Sequence, residues 1–191
     1  MKSFVTSSCP YLNSQPLILN RSPLDPLTPA RHLWESLVYG DAEYMDAEQK
    51  QKLLTLLSQQ HVAVVSTRGE EWPTATVQAF AETPEFDLIL IMLGSAPKFQ
   101  NLLKRPQITL HIDNRDKGDV SKMQIIRAWI EGVAREVPKG STEWETSKGI
   151  FLEKNPFEAP FFTYDVLRMV RVTPKRVSYA NGLADSFKAD V

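Results

Sequence analysis

The feature that most limits the fold is a series of short apolar segments between residues 62 and 179, joined by loops of hairpin length. Residues 107–113 alternate apolar and polar side chains, which is typical of a strand with one buried face. Residues 86–92 form an apolar run that fits a strand buried on both faces. The segments lack the regular strand–helix alternation of parallel sheets. The pattern therefore predicts a mainly β fold, an antiparallel barrel or sandwich with appended helices.

The predicted elements can be placed along the chain. Strands are expected at residues 62–67, 74–81, 86–92, 107–113, 124–137 and 166–179, and helices at residues 30–39, 47–60, 98–104 and 141–151. Asp46 has the side chain and position of an N-cap for the second of these helices. Gly132 predicts a bend in the long fifth strand.

The first thirty residues differ in character from the rest. They hold five prolines, Pro10, Pro16, Pro23, Pro26 and Pro29, which forbid a helix and favour an extended arm over residues 1–30. Such an arm is either a disordered tail or a segment that wraps a partner subunit. Residues 31–191 are expected to form a single domain with helical additions.

Composition excludes several classes of function. The net charge is −1, so no basic excess points to nucleic acid. Cys9 is the single cysteine, and the spacing of His32, His61 and His111 fits no compact zinc motif, so neither a disulfide within the chain nor a metal site is expected. The longest apolar run, residues 88–93, is far shorter than the roughly 20 residues of a membrane span, and no secretory signal is recognisable. A cytoplasmic location is expected.

The segment from Leu88 to Pro106 is the most informative for chemistry. An apolar strand ends at Gly94, and a helix begins with Ser95 and Lys98 in its first turn. Free backbone N–H groups and the helix dipole make such an end attractive to a phosphate, and a hydroxyl and an ammonium group add to the attraction. The alternative is a simple N-cap at Ser95 and a solvated Lys98.

The order of these features resembles the pyridoxamine 5′-phosphate oxidase-like family of FMN-binding split-barrel proteins, over roughly residues 45–180. The resemblance follows an ordered set of features: residues 62–67, Gly69, Pro73, residues 74–81, residues 86–92, Ser95 to Lys98, Asn101-Leu102, Pro106 and residues 108–112, then more weakly Gly132 and Pro174. It implies a six-stranded antiparallel split barrel that works as a homodimer, with FMN between the subunits.

The resemblance also implies a set of cofactor-binding residues. Lys98 matches the family's phosphate-binding lysine, with Ser95 as its hydroxyl partner, and Arg127 matches a polar position on the neighbouring subunit's side of the site. The positions that match those beside the flavin ring are Thr76, Val77 and Gln78 on the second strand and Ile91 and Met92 on the third. If the chain does not belong to this family, the apolar residues of this set would be core residues of any barrel, and Gln78 and Arg127 would be surface residues.

The sequence departs from the family pattern in its charges. Pro97 stands where many members have an arginine, Thr76 where a basic residue is common, and Met92 where a threonine is common. The phosphate site is therefore poorer in charge and hydroxyl groups. Residues 179–191 contain neither the arginine nor the histidine with which the oxidase holds its pyridoxal substrate, which argues against vitamin B6 oxidation.

Three functions remain open from the sequence. The first is an FMN-dependent oxidoreductase acting on a small molecule, for which the residues nominate no acid or base. The second is a non-catalytic protein that stores or senses a flavin or haem, with His61 and His111 as candidate iron ligands. The third is a structural or regulatory dimer whose pocket has lost its ligand.

Overall fold

The computed structural model describes residues 43–122, 124–183 and 185–191, which belong to one compact unit. The arm predicted for residues 1–30 and the helix predicted for residues 30–39 lie outside the described residues. In chain order the elements are β1 (Glu43–Tyr44), α1 (Ala47–Gln59), β2 (Val62–Arg68), β3 (Pro73–Glu82), β4 (Leu88–Leu93), α2 (Pro97–Lys104), β5 (Gln107–Asp113), β6 (Ile126–Val137), α3 (Thr142–Lys154), β7 (Leu167–Asn181) and β8 (Asp185–Asp190). Short 3₁₀ helices cover Val120–Lys122 and Pro156–Thr163.

Six strands form a closed barrel in the order β7-β4-β3-β2-β5-β6, and β6 pairs with β7 to complete the ring. All neighbours around the ring are antiparallel. The six-stranded antiparallel barrel predicted from the sequence is therefore confirmed. Strand β8 pairs with β7 outside the ring, and the two-residue β1 pairs in parallel with β8. Sequence analysis missed β8 because its side chains are mostly polar and only Ala189 is buried.

The chain has two apolar layers that share β4. Leu88, Leu90 and Met92 belong to the barrel core, whereas Ile89 and Ile91 belong to an outer cluster that packs beneath α3. Successive side chains of a strand point to opposite faces, so a strand buried on both sides needs this unbroken apolar run. The prediction that β4 is buried on both faces is confirmed.

The helices lie close to their predicted positions and have recognisable caps. Asp46 accepts a hydrogen bond from the backbone N–H of Gln49, and the Gln49 side chain accepts one from the backbone of Asp46, which is a capping box for α1. Ser141 caps α3 by accepting a hydrogen bond from the backbone N–H of Trp144. The predicted cap at Asp46 is confirmed.

The end of α3 is fixed to the barrel by two polar side chains. Asn155 is fully buried and its Nδ2 donates to the Phe80 carbonyl of β3 at 2.9 Å. Lys154 pairs with Glu82, donates to the Leu57 carbonyl at 2.8 Å, and lies over the Phe80 ring. Burial lowers the pKa of the Lys154 ammonium, and Glu82 opposes that shift. These contacts fix the start of the following segment, residues 156–163, part of which lines a cleft.

Candidate functional site

A cleft of about 460 Å³ lies over β3 and β4, beside the first turn of α2 and the 3₁₀ segment Pro156–Thr163. This volume falls within the ~300–1,000 Å³ that is usual for small-molecule sites. The lining residues are mostly apolar, with Gln78, Lys98 and Glu158 as the polar side chains. A cleft with few polar groups in fixed places is typical of a site that binds a ring compound in one orientation.

The structure brings together most of the residues that the resemblance singled out. Those that line the cleft are Val77, Gln78, Ile91, Met92 and Lys98. The hydroxyl group of Thr76 accepts a hydrogen bond from the Lys98 ammonium at 3.3 Å, so Thr76 lies at the edge of the same site. Ser95 and Arg127 do not line the cleft in this single chain.

Gln78 occupies the point where two barrel strands separate. The backbone pairing of β3 with β4 runs from Glu82 and Leu88 to Phe80 and Leu90. Beyond it, the Gln78 side-chain amide donates a hydrogen bond to the Ile91 carbonyl. The amide oxygen, Oε1, is buried and accepts no hydrogen bond from the described part of the chain. An unsatisfied buried acceptor is costly, so this oxygen is suited to a ligand that supplies an N–H or O–H donor.

Lys98 is a cation held in the cleft without a counter-ion among the described residues. It lies in the first turn of α2, which begins after Ala96, and no side chain caps this helix. Burial lowers the pKa of the Lys98 ammonium. A desolvated ammonium in the first turn of a helix, where the helix dipole is positive, is an arrangement that stabilises a bound phosphate.

Ser95 has a different position from the one expected. It is exposed in the turn before Ala96, so it neither caps α2 nor lies in the first helical turn. The reason is Pro97, which takes the first helical position and moves the start of the helix beyond Ser95. The hydroxyl group beside Lys98 is that of Thr76. A direct role of Ser95 in phosphate binding stays a prediction.

Asn101 fixes α2 against the hairpin of β2 and β3. Its Nδ2 donates to the Thr67 hydroxyl at 3.1 Å, and the hydroxyl groups of Thr67 and Thr74 are 2.7 Å apart. This network places Lys98, one helical turn earlier, over Thr76. The sequence analysis noted Asn101 only as part of the family pattern.

The lining residues that were not anticipated include Phe157, Glu158 and Phe161, all from the 3₁₀ segment. The neighbouring Phe162 packs inward, with its ring centroid 6.1 Å from Phe151 and 6.3 Å from Trp144. The aromatic side chains between Pro156 and Tyr164 were the available sequence signal, but their direction depends on how α3 lies on the barrel.

A second cleft, of about 510 Å³, adjoins the first and shares Val62 and Val77 with it. It is lined by both histidines named as possible iron ligands, His61 and His111. His111 Nε2 lies 2.9 Å from Asp113 Oδ2, and His111 Nδ1 is buried without a hydrogen-bond partner in the described residues. No group of three or more His, Cys, Asp or Glu side chains suited to a metal ion occurs in the described ranges.

Asp113 contributes a stabilised negative charge to the lining of this second cleft. The Arg115 guanidinium, and to a lesser degree the hydrogen bond with His111, lower the pKa of the Asp113 carboxyl to about 2. Because this pKa is lower in the folded state than in the unfolded chain, the ionised carboxylate stabilises the fold at any pH above its unfolded-state pKa. The stabilisation is lost as the pH falls towards the folded-state pKa.

We expect Asp113→Asn to lower the free energy of unfolding by about 1–2 kcal/mol near neutral pH. The difference from wild type should shrink between about pH 5 and pH 2, because protonation removes the same charge. Urea unfolding at several pH values measures it, with the exposed Asp116→Asn as the matched control. A deficit that is constant across this pH range would contradict the assignment.

Arg127 lies on β6, away from the first cleft, with its guanidinium 5.8 Å from the centre of the Trp129 ring. Trp129, His111, Val64 and Val77 are direct neighbours across the four strands β6, β5, β2 and β3. Val77 and Trp129 are exposed large apolar side chains. This row of four residues is called the outer row below.

Comparisons with known proteins define the fold. No protein-family model matches the chain, and no curated protein matches it. Among solved structures, a haem-binding protein from Mycobacterium smegmatis superposes with a TM-score of 0.65 at 16% identity, over 71% of this chain and 55% of that protein. This chain thus spans about half the length of the mycobacterial protein.

Two further solved structures are similar over nearly their whole length. A candidate pyridoxamine 5′-phosphate oxidase from Listeria innocua has a TM-score of 0.55 at 16% identity, over 69% of this chain and 98% of that one. A FAD-binding protein from Mesorhizobium loti has a TM-score of 0.57 at 12% identity, over 68% of this chain and 90% of that one. The chain therefore has the split-barrel fold of the pyridoxamine 5′-phosphate oxidase-like proteins, as the sequence resemblance predicted. In the described residues, no helix is long and apolar enough to cross a membrane.

Proposed function

We propose that this protein is an FMN-binding oxidoreductase that acts on a small molecule other than vitamin B6. The observation that carries the proposal is the cleft over β3 and β4, in which an unpaired Lys98 and an unsatisfied Gln78 oxygen are held together. Solved structures with the same fold that are named for FAD binding and as a candidate pyridoxamine 5′-phosphate oxidase support it.

The residues of the cleft fit FMN in three respects. Lys98, Thr76 and the start of α2 suit a phosphate. The Gln78 oxygen suits a donor on a heterocyclic ring, and Val77 and Ile91 supply an apolar surface for such a ring. When bound, FMN supplies the redox chemistry, and the protein supplies position and exclusion of water. We assign no catalytic acid or base.

The direct test is the visible spectrum of the purified protein, followed by titration with FMN. A yellow protein, or saturable quenching of FMN fluorescence by the colourless one, supports the proposal. A protein that stays colourless after incubation with FMN and quenches no fluorescence would contradict it. Pyridoxamine 5′-phosphate should not reduce the bound flavin, since residues 179–191 contain no arginine or histidine.

We further propose a cytoplasmic homodimer in which the flavin site lies at the subunit interface. The outer row supports this assembly, because it exposes Val77 and Trp129 on one face beside the cleft. Exposed apolar side chains at both ends of this row favour a protein–protein contact. Arg127, which lies on this face and away from the cleft, would then reach the partner's site as the resemblance implies.

The assembly gives a testable prediction. We expect a mass near twice the 21.7 kDa of one chain by light scattering, and a monomer for Trp129→Glu, because this change replaces the large apolar ring of the outer row with a charged side chain that is costly to bury. Trp72→Glu is the matched control, since Trp72 is exposed at the turn between β2 and β3, outside the outer row. A monomeric wild type, or equal masses for the two variants, would exclude this interface.

Haem binding without catalysis is the second candidate function. The observation that favours it is the presence of His61 and His111 in one cleft, with a free Nδ1 on His111. A Soret band that appears on titration with haem and is lost in His61→Ala or His111→Ala would support it. A wild-type protein without such a band would rule it out.

A further inference from the structure

Glu158 is a carboxylate that the proposed flavin site does not use. It is half-buried, lines the first cleft, and has no cationic partner in the described parts of the chain. The backbone N–H of Glu158 donates a hydrogen bond to the Asn155 carbonyl. A partly desolvated charge without a partner favours a ligand of opposite charge.

The segment that carries Glu158 is held in place. Asn155 is fixed by its hydrogen bond to Phe80, and Phe162 packs on Trp144 and Phe151. With Phe162 turned inward, Phe157 and Phe161 line the cleft on either side of Glu158 in the sequence, and both rings remain exposed. The carboxylate and the two aromatic rings therefore line the same cleft.

Glu158 does not serve as the counter-ion of Lys98. The pKa of the Lys98 ammonium is lowered, and burial is its cause, with no carboxylate to oppose it. The two side chains form no ion pair with each other, although both line the cleft. The cleft thus has an anion-binding part at Lys98 and a separate acidic part at Glu158.

We propose that the part of the cleft formed by Phe157, Glu158 and Phe161 binds an organic cation, a small apolar molecule with a protonated amine or quaternary ammonium group. The carboxylate attracts the charge, and the aromatic rings pack on the apolar body and interact with the cation through their faces. As a statement about the substrate, this inference rests on the proposed oxidoreductase function. The recognition by Glu158 itself does not require flavin.

Three probes of similar size and different charge test the inference: benzylamine, benzyl alcohol and benzoate. Their dissociation constants are measured by ligand-observed NMR on the flavin-free protein and again after incubation with FMN. We expect benzylamine to bind at least about fivefold more tightly than benzyl alcohol and, once FMN occupies Lys98, benzoate to bind most weakly. In Glu158→Gln the preference for the amine should fall below about twofold, since the charge is removed at constant size.

Glu153→Gln is the matched control, because Glu153 is exposed on α3 and does not line the cleft. This variant should keep the wild-type preference, whereas Phe157→Ala and Phe161→Ala should weaken benzylamine and benzyl alcohol together. Equal binding of the three probes, or an unchanged preference in Glu158→Gln, would overturn the inference. A retained amine preference in a protein that never binds FMN would overturn the proposed function and leave this inference standing.

Discussion

Replacement of Lys98 by glutamine is expected to weaken FMN binding by about 10- to 100-fold and to leave riboflavin binding unchanged. Lys98 is the cation that lines the cleft, and its ammonium group lies 3.3 Å from the Thr76 hydroxyl. A charge-assisted hydrogen bond to phosphate contributes about 1.5–3 kcal/mol, and riboflavin lacks the phosphate. Fluorescence titration with the two flavins measures both constants.

Lys104→Gln is the matched control for this experiment. Lys104 is on the same helix, but it is exposed and its ammonium pairs with Glu70 at 2.6 Å, away from the cleft. This variant should bind FMN like wild type. A loss of affinity shared by both flavins, or by both lysine variants, would show that Lys98 does not hold the phosphate.

The pH dependence of FMN binding gives a second readout for Lys98. Burial lowers the pKa of this ammonium, so its charge is lost at a lower pH than that of an ordinary lysine. Since the charged form binds phosphate, FMN affinity should decrease as the pH rises through the lowered pKa. Lys98→Gln should lack this alkaline decrease, whereas Lys104→Gln should keep it.

Gly132→Ala is expected to lower the free energy of unfolding by about 2–3 kcal/mol. Gly132 lies where the pairing of β6 with β7 shifts register, and an added Cβ would be 2.7 Å from the Thr173 carbonyl oxygen and 2.8 Å from Val172 Cγ1. Both contacts are too close, and one is with backbone, so the two strands must separate. Urea unfolding measures the loss.

Gly149→Ala is the control, and it is expected to change the free energy of unfolding in the opposite direction. Gly149 lies inside α3, and an added Cβ there meets no atom within 4 Å. Alanine is favoured over glycine in a helix, so this variant should be more stable by about 0.5–1 kcal/mol. Similar losses in both variants would mean that the bulge at Gly132 does not require glycine.

Most barrel strands could be predicted because local pattern decides them. The alternation of residues 107–113 and the apolar run before Gly94 correspond to β5 and β4. Strand β8 was not predicted, because it lies outside the barrel ring. It is held by its pairing with β7 rather than by burial of an apolar face. Its polar side chains give no periodic signal.

The candidate site was predicted in part. The residues on β3, β4 and α2 follow from a local order of strand, turn and helix, and the structure brings Val77, Gln78 and Lys98 into one cleft. The hydroxyl beside Lys98 belongs to Thr76 and not to Ser95, because Pro97 fixes the start of the helix. This detail depends on which residue takes the first helical position.

The sequence by itself determined where the six barrel strands lie along the chain, the N-cap at Asp46 and the cation in the first turn of α2, because each depends on neighbours within a few residues. The tertiary structure alone decided three other features: the free oxygen of Gln78, the position of Glu158 in the same cleft as Lys98, and the alignment of Trp129 with Val77. Each of these requires elements distant in the sequence to pack together. The cleft therefore forms only when the barrel is closed and α3 packs against it.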